Sequence, residues 1–275
     1  MGALLAVLSS VAWGSADFGG GMLSRRISAF ASVLYSQGTA MVAVLVVSAF
    51  MGGFAISKSL LWAVGAGIVG PLALGIYYRA LAIGPMGIVG PVSATSGAVP
   101  VVVGLFLGER ISVIRLFGLV GCVVGVAIVS GLNLKGFAHA NIRSVSFAAI
   151  SAVGFGFVFT AIAQSASHGI LATLAIQRVT NIVVLLVLAL IRKPHLKANR
   201  SALLFLGLVG LLDIGANALF AASSQLGQLA LVGALGALYP VTTTTLASIF
   251  AKERLTRPQL LGALVTMVSV VLASS

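Results

Sequence analysis

Residues 108–125, GERISVIRLFGLVGCVVG, return at a fixed offset of 144 as residues 252–269, KERLTRPQLLGALVTMVS. Glu109 falls on Glu253, Arg110 on Arg254 and Gly118 on Gly262. In each copy a Glu-Arg pair stands between two apolar runs, so it marks the same point in two halves of one chain. Working outward from both copies, apolar runs separated by charged or turn-forming residues give ten candidate helices: 2–23, 28–50, 58–83, 86–108, 112–130, 143–165, 169–191, 201–226, 228–251 and 256–274. A helix crossing a bilayer takes about 20 apolar residues, so ten of them and short turns fill the 275 residues. The expected fold is an all-α membrane protein with ten transmembrane helices. It divides into residues 1–130, a connecting loop at 131–142 and residues 143–275. Five is odd, so the second half must enter the membrane from the opposite side. The expected architecture is therefore two inverted five-helix repeats, an arrangement found in many secondary transporters.

Composition asks for the same solvent. Hydrophobic residues make up 60% of the chain, charged residues 7%, and the mean hydropathy is +1.18. A soluble domain carries about 25% charged residues, so lipid must surround most of this chain. The net charge of +12 comes from cations at the ends of apolar runs, among them Arg25, Arg26, Lys193, Lys197, Lys252 and Arg254. That placement is one of anchors and topology signals, and no nucleic-acid partner is expected. Cys122 is the only cysteine, which excludes a disulfide within the chain. Residues 1–23 open on an apolar run without a basic leader, and are read as a retained first helix. Among the 33 glycines, spacings such as Gly104/Gly108 and Gly121/Gly125 suit close helix packing. Pro85, Pro91 and Pro100 are expected to weaken helical hydrogen bonding in spans three and four, and Pro240 in span nine.

Only four acids exist: Asp17, Glu109, Asp213 and Glu253. The two glutamates sit at span ends and read as anchors. Asp17 and Asp213 lie inside apolar runs, where an ionisable group costs at least ~2.5 kcal/mol and must face a partner or the bundle interior. Asp213 shares a helix face with Asn217, four residues on. Arg178 lies at a similar depth in the preceding span, between Gln177 and Asn181. Two readings stand beside each other: a charge pair joining neighbouring helices, or a polar midplane site for a charged or zwitterionic ligand. Around Asp17, Gly14, Gly20 and Gly21 share its face and are expected to leave room beside the carboxylate. Trp13, Gln37 and Tyr78 complete the candidate central cavity, and Asp17 or Asp213 is the candidate proton-coupling residue.

These residues resemble the drug/metabolite transporter superfamily, in particular its ten-helix EamA-type members. Trp13-Gly14-Ser15 matches the tryptophan-glycine of the first helix, and Tyr78-Arg79-Ala80-Leu81 through Gly84-Pro85 the end of the third. The two Glu-Arg pairs with Gly118 and Gly262 match the entry to the last helix of each half, and Pro240 the proline ahead of the second pair. Two positions depart: Gln37-Gly38 stands where such proteins often carry an arginine, and Ser96 stands opposite Pro240. The resemblance implies a secondary exporter of metabolites or drugs with a cavity between the halves. It also implies cytoplasmic termini, whereas the loops after the odd-numbered spans (one, three, five, seven and nine) hold nearly all the basic residues and place the termini outside by the positive-inside rule.

The leading expectation is a secondary transporter of small organic solutes, an exporter working by alternating access, with proton coupling as an option. A membrane-embedded enzyme acting on a lipid-linked substrate is the alternative, and a receptor or structural bundle the third. Catalytic signatures are absent. There is no HExxH, phosphate loop or cysteine pair, His139, His168 and His195 lie at or beside loops, and Thr95-Ser96-Gly97 has no intramembrane histidine to activate its serine. The chain is expected not to be an enzyme, and to need no cofactor or metal. Its partners are a small-molecule substrate and the lipid bilayer, its state is a monomer or weak homodimer, and its place is a prokaryotic inner membrane.

Overall fold

A computed structural model describes residues 1–51, 57–84, 86–108, 112–129, 142–167, 169–250 and isolated helical positions between 257 and 272. The elements are α1 (Gly2–Ser24), α2 (Ala29–Met51), α3 (Leu60–Ile83), α4 (Met86–Ala94), a 3-10 turn (Thr95–Gly97), α5 (Ala98–Phe106), α6 (Val113–Val129), α7 (Ile142–Ala166), α8 (Ile170–Arg192), α9 (Arg200–Ser224), α10 (Leu229–Gly236) and α11 (Tyr239–Phe250). Among the described residues there is no strand, and seven stretches are long and apolar enough to cross a membrane: α1, α2, α3, α7, α8, α9 and the run Leu229–Phe250. The first nine expected segments meet helices within two residues at either end. The tenth segment falls mostly outside the described residues, as do both Glu-Arg pairs (Glu109, Arg110, Glu253, Arg254) and 131–141 of the connecting loop.

Proline chemistry shapes two of the segments. Pro100 and Pro240 have no N–H to return to the carbonyl one turn earlier, which weakens the α ladder there. The fourth segment accordingly tightens into the 3-10 turn before α5, and the ninth breaks at Ala237–Leu238 between α10 and α11. The two interrupted segments meet. A Cβ on Gly233 would overlap the Pro100 ring, and one on Gly97 would come within 2.7 Å of Ala237 Cβ. Small residues let these backbones approach where lipid supplies no hydrophobic drive.

Helices from the two ends of the chain interleave. α1 lies along α9 and α3 along α7; α2 packs on α9 and α3 on α8; α2 crosses α8 near the centre. Ser9 Oγ donates to Ala216 O at 2.8 Å, tying α1 to α9. The ridge of α9 meets α2 at Gly210, where any Cβ would collide with the Ser36 carbonyl oxygen. Outward faces carry exposed Leu4, Leu8, Val46, Val183, Leu204 and Leu208. Such a surface suits hydrocarbon and would aggregate in water.

The segment between α8 and α9 is pinned. Lys193 turns left-handed at φ 44° to end α8, and Asn199 Oδ1 accepts from the Ala202 amide at 2.9 Å to start α9. Between them, Ser28 Oγ and Tyr35 OH each donate at 2.7 Å to the carbonyls of His195 and Leu196. Lys197 thereby shares a groove with Arg26, while Arg25 Nε donates to Leu81 O at 3.4 Å. The ends of α1, α3 and α8 thus gather at one basic face of the bundle.

Candidate functional site

The centre of the bundle holds a polar network built by α2, α8 and α9. Arg178 and Asp213 form an ion pair, with Nη2 2.9 Å from Oδ2. Gln37 serves both members: its Nε2 donates to Asp213 Oδ2 at 3.0 Å, and its Oε1 accepts from Arg178 Nη1 and from Asn181 Nδ2, the latter at 3.0 Å. Asn217 Nδ2 donates to the Asp213 backbone oxygen at 2.7 Å and to Oδ1 at 3.4 Å. A single buried charge in a low-dielectric bundle is costly, and a pair repays this only when its remaining lone pairs and protons are also engaged. Gln37 is the residue that closes this network across helices, because one amide end meets the anion and the other the cation.

Asp17 stands apart. It lies on α1, 7% exposed, and among the described residues its carboxylate makes no hydrogen bond and no ion pair. It lies within electrostatic reach of Tyr77, Tyr78, Tyr239 and Asp213. Trp13, one turn earlier, stacks on Phe159 with ring centroids 5.0 Å apart and packs against Phe220 at 5.4 Å. Tyr239 meets Phe155 edge-on at 6.3 Å, and its hydroxyl donates to Ser93 O at 3.1 Å.

One cavity of about 60 Å³ joins these two regions. Asp17, Trp13, Gln37, Arg178, Asp213 and Asn217 all line it. Tyr78 does not; its ring fills the space over Gly20, where any Cβ would overlap it. The room expected beside Gly14, Gly20 and Gly21 is likewise occupied. A Cβ on Gly14 would strike the Tyr239 carbonyl and Thr242, and one on Gly21 would come within 2.8 Å of Leu81. These glycines admit neighbouring helices to α1, and none of them lines the cavity. Thr243 Oγ1 takes advantage of the approach, donating to Gly14 O at 3.0 Å.

Several lining residues were not among the sequence candidates: Gln177, Asn181, Phe155, Phe159 and Tyr239. For Gln177 and Asn181 the signal was available, since they flank Arg178 on one helix. The aromatic residues sit in apolar runs and carry none. Among the described residues no cluster of His, Cys, Asp or Glu could hold a metal ion, and the lining contains no serine, cysteine or histidine.

The family model described as the EamA-like transporter family matches residues 1–131 and 142–275. Among curated proteins no sequence matches. A solved crystal structure of a protein 17% identical in sequence superposes with a TM-score of 0.78, over 99% of this chain and 96% of the other. At that identity the likeness speaks for the fold.

Proposed function

Because this chain belongs to the EamA-like transporter family, membrane transporters of small molecules, we propose that it is a secondary transporter, an exporter of small organic metabolites or drugs that works by alternating access. The observation carrying this reading is the central cavity, where a carboxylate without a partner among the described residues and a hydrogen-bonded ion pair line one space between helices of both halves. Ionisable groups at that depth mark solute or ion pathways. Drug-sized ligands occupy pockets of roughly 300–1,000 Å³, so a cavity of about 60 Å³ holds only part of such a solute as it stands. A solute enters only if helices part on one side.

The expected ten helices, as inverted repeats over residues 1–130 and 143–275, belong to the same proposal. Packing supports it. Exchanging each segment for its counterpart five places on turns α1 against α9 into α7 against α3, and α2 against α9 into α8 against α3, both of which occur. The interrupted fourth and ninth segments are also counterparts, and their breaks give each half a place to bend. The proposed setting is a prokaryotic inner membrane, with the protein a monomer or weak homodimer.

Proton coupling falls to Asp17 in this scheme. Asp213 is held by Arg178, Gln37 and Asn217, so a proton there would dismantle the network. Asp17 has no such partners among the described residues and can hold a proton in one state and solute in another. Mutually exclusive occupancy is sufficient for coupling, because each ligand biases the same two-state equilibrium. The alternative of an enzyme acting on lipid-linked substrates finds no serine, cysteine or histidine among the described lining residues to support it.

The test is flux into proteoliposomes for amino acids, organic cations and sugar phosphates, with and without a pH gradient. Transport of at least one class that is saturable and gradient-sensitive is expected. No flux of any solute above protein-free vesicles would sink the reading.

A further inference from the structure

The cavity's unmet valences are lopsided, and that lopsidedness specifies a ligand. Among the described residues three charged side chains line it: Asp17, Arg178 and Asp213. The last two cancel as an ion pair, leaving one negative charge. Hydrogen bonding leans the same way. Gln37 Nε2 is committed to Asp213, so its Oε1 must face Arg178 and Asn181, which in turn fixes Nδ2 as the atom that Asn181 presents to it. Asn181 Oδ1 is therefore the end left over, buried without a partner. Among the described residues Gln177 Oε1 is also buried and unpartnered, and the Asp17 carboxylate accepts nothing. Against these acceptors stand two donors of Arg178, Nε and Nη2, neither with a hydrogen bond among the described residues; Nη2 lies 2.9 Å from Asp213 Oδ2, so the charge of this side chain is already matched. What the site lacks is N–H.

We propose that the cavity binds an organic monocation whose charged nitrogen carries N–H donors, a primary or secondary ammonium with an apolar, aromatic-sized body. This rests on the transport reading and names its substrate class. Asp17 supplies the counter-charge, while Asn181 and Gln177 accept from the ammonium. Trp13, Phe155, Phe159 and Tyr239 line the same space and supply aromatic surface to accommodate the body and attract its cation. A volume of about 60 Å³ accepts the ammonium head in place of a few waters; the body follows when the helices part. An anion meets the unpaired Asp17. A zwitterion brings a carboxylate to an arginine that Asp213 already neutralises. A quaternary ammonium satisfies the charge and leaves the acceptors empty.

The experiment keeps one body and varies the head. Calorimetric titration of the purified full chain in detergent uses phenethylamine, its N,N,N-trimethyl analogue, phenylalanine and phenylpropionate. Hydrogen bonds to charged groups are worth about 1.5–3 kcal/mol, so phenethylamine should bind at least about tenfold tighter than the trimethyl compound, with no heat from the other two. Asp17→Asn should abolish binding of both cations. Asn181→Ala should weaken the amine several-fold and leave the trimethyl analogue unchanged, a split that misfolding does not produce. Equal affinity for amine and trimethyl analogue overturns the N–H requirement. Binding of phenylalanine or phenylpropionate in preference to the amine, or no binding of the amine, overturns the assignment. Flux of a non-amine in the vesicle screen would leave transport standing and remove this substrate class. Tight amine binding with no flux of any solute would remove transport alone.

Discussion

Two aspartates face one cavity and keep different company. Asp213 is held by a guanidinium, two amides and its own helix; Asp17 is held by nothing among the described residues. The difference separates two jobs that a buried charge can do. A fully engaged acid fixes helices α2, α8 and α9 relative to one another and has little freedom to change protonation. An unengaged acid contributes no such bracing, and it keeps its valence for a ligand or a proton. Stability should therefore concentrate in the Asp213 corner and transport in the Asp17 corner.

The sharpest break of that contrast is Arg178→Met, which strands Asp213 without a counter-charge. Removing one member of a buried pair costs about 3–5 kcal/mol, and thermal unfolding in detergent should show a large fall. The double variant Arg178→Met/Asp213→Leu should recover much of it, since a buried pair replaced by apolar groups is often neutral. If the single variant is as stable as the parent, the ion pair does no bracing.

Next comes Gly20→Ala, which drives a methyl group into the Tyr78 ring. Overpacking of this kind costs about 1–3 kcal/mol, and the same unfolding measurement checks it. A smaller loss is expected for Asn217→Ala. Its hydrogen bond to Asp213 lies inside the membrane region, where such bonds average about 0.6 kcal/mol.

Asp17→Asn should have the least effect on unfolding, smaller than that of Asn217→Ala, because no hydrogen-bond partner among the described residues is lost. The same variant should abolish pH-gradient-driven flux. Survival of gradient-driven flux at the parent rate with the same pH dependence would show that Asp17 is not the coupling residue.

The ion pair was within reach of the sequence for a simple reason. In an apolar run an ionisable residue stands out, so Arg178 and Asp213 announced themselves, and their similar depth suggested the meeting now seen at 2.9 Å. Span positions were legible for the same reason, since charged breaks punctuate them. Which apolar side chains face inward was not legible. Lipid and bundle interior are both apolar, so Phe155 and Phe159 facing the cavity and Val153 facing outward read alike. Gly20 was visible, yet its meaning was not: a glycine beside an acid can signify space for a ligand or space for a neighbouring ring. Only the position of Tyr78 decides.

The solitary state of Asp17 has an electrical consequence. A site with one unpaired negative charge becomes neutral whether it carries a proton or a monocation. Both loaded forms then cross between the two faces without moving net charge. One-for-one exchange of a proton for an ammonium is on this scheme electrically silent, although a single uncompensated charge moved through 100 mV would be worth about 2.3 kcal/mol. The membrane voltage would neither help nor hinder such a carrier, and its direction would be set by the proton and solute concentration ratios alone.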